Sequence, residues 1–510
     1  MNIAIMNTYD QTGGAAKAAH RLYRGLRLNH PDIYYYVRTK TDFADKNIIQ
    51  LNQFNKSISF MDELMQKHYV TPNRTAISNT LFSITYAGVN TTVSEELKKA
   101  DIINLHWVEK YLSLESIKQL IDLQKPIVWT LHDERPFTGG CHYTTDCQGF
   151  KEDCSQCSQL KDDPYHLAKN VLAAKLKLFK EADISIVTPS KWLASQVKKS
   201  TLFKNVRIEA IPNGIDTQIY RPIDKGQCKR DLEIDPSSIV LQFGAQNNQE
   251  KRKGFSYLID AMKLCLQNHA FDKLCKEGKV IILCVGTPSR EIEELPIQNK
   301  SVGYIDNDTE MVKLYNATDI FILPSLEDNL PNTMIESMAC KTPVIGFDTG
   351  GIPEVVNHEN GRVVERENTQ QLAEAIIELV LNPVLRADLG DAGHHLINSR
   401  YKIADQAKNY IDFFNDIREN TPVEKKETKI DLTTYFDPVI GYALRSEAKH
   451  NNHLFNIPDS STPKVEKNIQ GHPELFEAVK AICQVKMTKN PFKKIEAYKQ
   501  MLTVYHKIKK

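Results

Sequence analysis

Short runs of branched apolar residues recur along the chain, and each gives way to a glycine, proline or polar residue before a helix-like segment begins. Residues 2–7 (NIAIMN) form such a run. Gly13-Gly14 follows, then an amphipathic stretch over 15–28. Residues 102–106 (IINLH), 127–131 (IVWTL) and 184–187 (ISIV) repeat the pattern, with helical periodicity over 114–123 and again from Lys191. It returns in the second half at 239–243 (IVLQF), 280–285 (VIILCV), 320–323 (IFIL) and 343–347 (PVIGF), which run into Gly244, Gly286, Pro324 and Asp348. Strands this short and this continuously apolar are buried on both faces, and their alternation with helices predicts parallel sheets clad in helices. Asn213-Gly214 marks a turn and Pro222 stiffens the exit from it, so an interdomain hinge is placed there. In open α/β sheets ligands bind beyond the carboxyl ends of the strands, and the polar candidates cluster at those ends.

At 510 residues the chain is too long for one ordinary domain. A net charge of +1 gives no global field for nucleic acid, and none is expected as a partner. No apolar run approaches the roughly 18 residues needed to cross a bilayer. The segment MNIAIM lacks a basic leader and runs straight into a strand, so a cytoplasmic location is expected. Of the ten cysteines, Cys141, Cys147, Cys154 and Cys157 cluster as C-x5-C-x6-C-x2-C in a loop over 138–160. The last pair has zinc-ligand spacing, although the whole is less regular than a zinc ribbon. A structural zinc on these four thiolates and free thiols in an ordered loop are both open readings.

Residues 323–339 read LPSLEDNLPNTMIESMA. Asp328 and Glu336 flank a Pro-Asn-Thr turn at a helix start. Unpaired amides and the positive dipole end of a helix suit a diphosphate, and a carboxylate, which only accepts, suits sugar or ribose hydroxyls. This stretch resembles the E-x7-E signature of retaining glycosyltransferases of the GT-B type, family 4, with aspartate in place of the first glutamate. The TLHDERPFTGGCHY run at 130–143 and SLEDNLPNT at 325–333 look most like a polysaccharide-assembly branch of the colanic-acid type. The resemblance covers about residues 1–415. It implies two Rossmann-like doubly wound domains facing a cleft: an acceptor-side domain over 1–212, a nucleotide-sugar domain over 213–400, a helix over 401–420 crossing back to the first domain, and a basic extension over 421–510.

The resemblance also assigns roles. Gly13 and Gly14 let backbone approach phosphate or sugar. His132 steadies an oxocarbenium-like transition state through a hydrogen bond. Lys253, with Arg252 beside it, faces the diphosphate leaving group; the family's usual arginine position is Asn248 here. Asp328 holds the donor sugar, the backbone of Asn329, Leu330, Asn332 and Thr333 meets sugar and diphosphate, Glu336 binds both ribose hydroxyls, and Tyr304 borders the base. His106 is structural or faces the acceptor. Asp306-Asn307-Asp308 is read as a helix start with Asp308 as N-cap, not as a metal motif, and no catalytic cofactor is expected. The implied partners are a UDP- or GDP-sugar and a glycan or lipid-linked acceptor. The alternatives are a GT-B epimerase or phosphorylase, or a non-catalytic carbohydrate-binding scaffold.

Residues 464–510 carry eleven lysines against four glutamates, a net of +7, with Leu475, Phe476, Val479 and Ile482 at helical spacing. Two readings stand: a solvated helical appendage, or a segment docking to an anionic membrane or to a partner.

Overall fold

The computed structural model describes residues 1–54, 56–180, 182–245, 250–286, 290–420, 432 and 435–450. The basic segment 464–510 and Asn248 lie outside the described residues.

The first sheet contains β1 (Ile3–Tyr9), β2 (Ile33–Thr39), β3 (Ile48–Gln50), β4 (Ile102–Leu105), β5 (Ile127–Thr130), β6 (Ile184–Thr188) and β7 (Ile208–Ala210). The second contains β8 (Ile239–Ala245), β9 (Val280–Gly286), β10 (Gln298–Ser301), β11 (Ile320–Leu323), β12 (Val344–Phe347) and β13 (Gly361–Val364). Their orders are β3-β2-β1-β4-β5-β6-β7 and β10-β9-β8-β11-β12-β13. Every pairing within them is parallel. Each sheet grows outward on one side of its first strand and then doubles back, which opens a crevice at β1/β4 and another at β8/β11. Gly13 follows β1, His106 follows β4, Lys253 follows β8 and Asp328 follows β11. The strand order therefore gathers the candidate residues.

Two hydrophobic clusters line the faces of each sheet. The helix Ile403–Asn420 returns from the second sheet to the first. Its Tyr410, Phe413 and Phe414 pack with Ile3, Ile5 and Leu22. Where the chain crosses between the halves, Ile215 and Lys402 form a parallel bridge. The Ile215 amide donates to Tyr401 O at 2.8 Å and the Ile403 amide to Ile215 O at 3.1 Å. In the helix Asp437–His450, Val439, Ile440 and Ala443 are buried in the first sheet's core.

Candidate active site between the two sheets

The β11 strand ends at Pro324, and Ser325, Glu327, Asp328, Asn329 and Leu330 are all buried. The helix Asn332–Ala339 then starts on Pro331 with no side chain capping its first turn. Its residues Asn332, Thr333 and Glu336 share a cavity of about 170 Å³ with Gly13, Gly14 and Tyr304. Gly13 has φ +92°, which disfavours any side chain, and nothing lies within 4 Å of where its Cβ would stand. The backbone there is open to a ligand. Asn332 Nδ2 donates to Gly14 O at 2.8 Å and so ties the helix start to the glycine turn. Tyr304 is half exposed on the cavity rim and donates to Asp306 at 3.2 Å.

Glu336 is buried, and both of its oxygens are engaged. Arg21 of the first helix (Gly14–Arg27) lies 2.6 Å from Oε1, and the Tyr315 hydroxyl donates to Oε2 at 2.8 Å. Arg21 also donates to the Tyr220 hydroxyl at 3.0 Å. Lys17 and Arg24 lie on the same helix: Lys17 pairs with Asp308 at 3.2 Å and Arg24 with Asp216 at 3.6 Å. A row of cations on the first domain therefore grips acids of the second. Arg21 and Lys17 were not singled out from the sequence. Their four-residue spacing on one helix face was visible, but the acids they meet lie about 290–315 residues away. Asp308 serves this row and not the N-cap; that place is Asn307, whose side chain accepts from the Thr309 and Glu310 amides.

Asp328 is ion-paired to Lys253 at 2.7 Å and to Arg252 at 3.1 Å. Burial alone would raise its pKa, but the two cations outweigh burial and hold it down at about 2. Lys253 is positioned by Gly254, which has φ +67° and packs so tightly that a Cβ would stand 1.7 Å from Pro324 O. Arg252 also donates to Glu327 O at 2.8 Å and lies over the Tyr143 ring at 4.0 Å. In this structure both cations answer to Asp328. Two expected donor residues have other side-chain work. Leu330 is in the core, which leaves only its backbone for a ligand. Asn329 accepts from Ser190 Oγ at 2.6 Å and donates to Leu131 O and His132 O at 3.4 and 3.3 Å, binding the two halves together.

His132 stands at the carboxyl end of β5, with Nε2 2.9 Å from His106 Nδ1. Burial drives its pKa down to about 4, so the ring is neutral near pH 7. The residues that follow it are themselves fixed by buried polar pairs. Asp133 accepts from Trp107 Nε1 at 2.9 Å and lies 2.7 Å from His142 Nδ1, while Arg135 pairs with Glu109 at 2.5 Å.

The four clustered cysteines all border one small cavity. Among the described residues, however, no group of three or more His, Cys, Asp or Glu side chains is arranged to hold a metal ion. The arrangement of Cys141, Cys147, Cys154 and Cys157 thus gives the four-thiolate zinc reading no geometric support, and the reading stays an expectation. Burial raises the Cys141, Cys154 and Cys157 thiols and favours their protonated form. The loop also has an apolar footing in Phe137 and Phe150, whose rings meet edge to face at 5.4 Å, so a metal is not needed to give it a core.

Residues 237–382 match the family described as glycosyl transferases group 1. Over 439 residues, 82% of this chain and 100% of the relative, the sequence is 23% identical to a putative colanic acid biosynthesis glycosyl transferase, WcaC, of Escherichia coli K12. The chain is a GT-B glycosyltransferase. It is 26% identical over 241 residues to the capsular polysaccharide biosynthesis glycosyltransferase CapM of Staphylococcus aureus, covering 45% of this chain and 60% of CapM. Its fold is that of HepE from Anabaena, solved with UDP and glucose, at a TM-score of 0.55, with 16% identity over 82% of this chain and 100% of that one. Among the described residues no helix is long and apolar enough to cross a membrane.

Proposed function

We propose that this glycosyltransferase moves a sugar, with retention at the anomeric carbon, from a nucleotide diphosphate to a glycan or lipid-linked acceptor in surface polysaccharide assembly. The observation that carries the reading is the single cavity where Gly13-Gly14, the uncapped start of the helix Asn332–Ala339 and Glu336 converge. Free amides at that helix start and the glycine turn receive the diphosphate. Glu336 keeps about two of its four lone-pair sites after Arg21 and Tyr315, and these receive the ribose diol. Tyr304 borders the base. Lys253 and Arg252 hold Asp328 until the donor arrives. As the glycosidic bond breaks, their charge stabilises the growing charge of the departing diphosphate while Asp328 holds the sugar. Neutral His132 offers a hydrogen bond to a sugar hydroxyl. The relatives named for colanic acid and capsule synthesis support a polysaccharide product, and HepE, solved with UDP, supports a nucleotide donor. The enzyme works in the cytoplasm, peripherally at the inner membrane face.

The test is nucleotide release from a panel of UDP- and GDP-sugars without acceptor, alongside thermal shifts with the same compounds. Slow hydrolysis of one donor, with a matching shift, is the expected result. A shift without hydrolysis or transfer would leave a carbohydrate-binding scaffold, and no shift with any donor would remove the nucleotide-sugar reading.

A further inference from the structure

A buried chain of hydrogen bonds runs behind His132, and its polarity can be worked out bond by bond. Asn104, on β4, donates through Nδ2 to Val128 O and Thr130 Oγ1, each at 3.0 Å. A carbonyl only accepts, so the Val128 contact fixes which end of the amide is nitrogen. Asn104 Oδ1 therefore faces the other way, 2.9 Å from His106 Nε2. That oxygen has no hydrogen, so His106 Nε2 carries the proton. Burial, reinforced by His132, keeps the His106 ring neutral, which leaves its Nδ1 bare. His132 Nε2, 2.9 Å from that bare nitrogen, must be the donor. Neutral His132 then has an unprotonated Nδ1, and no hydrogen bond from a described residue reaches that atom. The far end of the chain is anchored on the crossing helix, where the Tyr410 hydroxyl lies 3.0 Å from Thr130 Oγ1.

We propose that Asn104 and His106 are positioning residues that lock His132 in its Nε2–H tautomer and so present a bare Nδ1 to a hydroxyl of the donor sugar. The proposal rests on the reading of His132 as a sugar contact. Its chemical content is selectivity for a donor: a bare nitrogen accepts from an O–H, whereas the opposite tautomer would meet the same position with an N–H. A group that orients a ligand through its second nitrogen is a general device for histidine.

The sharpest perturbation keeps shape and reverses polarity. In Asn104→Asp the new carboxylate draws a proton onto His106. His106 Nδ1–H then donates to His132 Nε2, and the His132 proton moves to Nδ1. Nitrogen NMR of isotopically labelled histidine in the full chain reads the tautomer directly. Expected are the Nε2–H form in the native protein, the Nδ1–H form in Asn104→Asp, and a kcat lower by about 10–100-fold with donor KM within about twofold. His106→Phe removes the partner while keeping a ring, and should leave His132 as a mixture of tautomers with a similar fall in kcat. If His132 keeps its Nε2 proton and turnover is native in both variants while His132→Ala is inactive, the relay is overturned and the sugar contact survives. If His132→Ala turns over normally, both readings fall.

Discussion

Replacing Glu336 by glutamine separates its observed pairing with Arg21 from its proposed contact with a ribose. The carboxylate offers about four lone-pair sites, of which Arg21 at 2.6 Å and Tyr315 at 2.8 Å use two. The remaining pair matches the two hydroxyls of a ribose. Glutamine keeps one acceptor oxygen, which Tyr315 already shares, and turns an NH₂ toward either the guanidinium or the ligand. At most one ribose hydroxyl keeps a partner. Losing one charge-assisted bond costs roughly 1.5–3 kcal/mol, so nucleotide Kd should weaken by about 10–150-fold. The same change leaves Arg21 buried without its main counter-charge. Removing one member of a buried pair costs about 3–5 kcal/mol, offset in part by Tyr220 at 3.0 Å and Asp308 at 3.9 Å. Titration calorimetry with UDP and GDP, run beside thermal melting, reads the two effects independently. Arg21→Gln should lower the melting temperature while keeping most nucleotide affinity. A Glu336→Gln protein that melts early but binds the cognate nucleotide normally would mean that the acid is only the partner of Arg21, and the ribose assignment would be refuted.

Lys253→Ala should lower kcat by about 10²–10³-fold, because charge on the diphosphate peaks as the bond breaks; near-normal turnover in steady-state kinetics would shift that role to Arg252. On acidification two groups act in the same direction. His132 ionises at about 4 in the folded chain against roughly 6.5 when unfolded, so its contribution is present above about 6.5 and is lost as pH falls towards 4. Asp328, held at about 2, contributes above the unfolded carboxyl value of roughly 4 and loses that contribution as pH falls through its folded value. The melting temperature of His132→Gln should therefore depend less on pH between about 6.5 and 4 than that of the native protein, and equal slopes would contradict the buried neutral ring. Each lysine of segment 464–510 is expected to add about 1 kcal/mol of attraction to an anionic surface, screened beyond roughly 8–10 Å. Flotation with anionic vesicles should fall when that segment is removed or salt is raised, and equal flotation of both chains would place the membrane contact elsewhere.

The fold was legible because period and punctuation agree in the sequence: apolar runs too short for helices, each closed by a glycine, proline or polar residue. The second-domain half of the cavity, Asn332, Thr333 and Glu336, was legible for a related reason, since one short loop and the helix after it supply it. What could not be read is whatever depends on pairs distant in the chain. Nothing near Glu336 announces Arg21, and nothing near His132 announces Asn104. Asp308 and Asn307 are both good caps by residue type; only the arrival of Lys17 and Arg21 from the other domain decides between them. The cysteine spacing alone likewise does not reveal the Phe137–Phe150 ring pair in that loop.

The chain passes between its halves twice, and the two passes are bonded to each other through Ile215, Tyr401 and Ile403. A paired spine of this kind permits turning about the line the strands share and resists sliding or twisting, which would strain both passes together. In this respect the paired passes resemble the binding of a book. Gly214 sits in the binding of that book: a Cβ there would stand 2.7 Å from Ile403 Cα. Even a methyl group at that position would wedge the spine, so a substitution of Gly214 would disturb both passes at once.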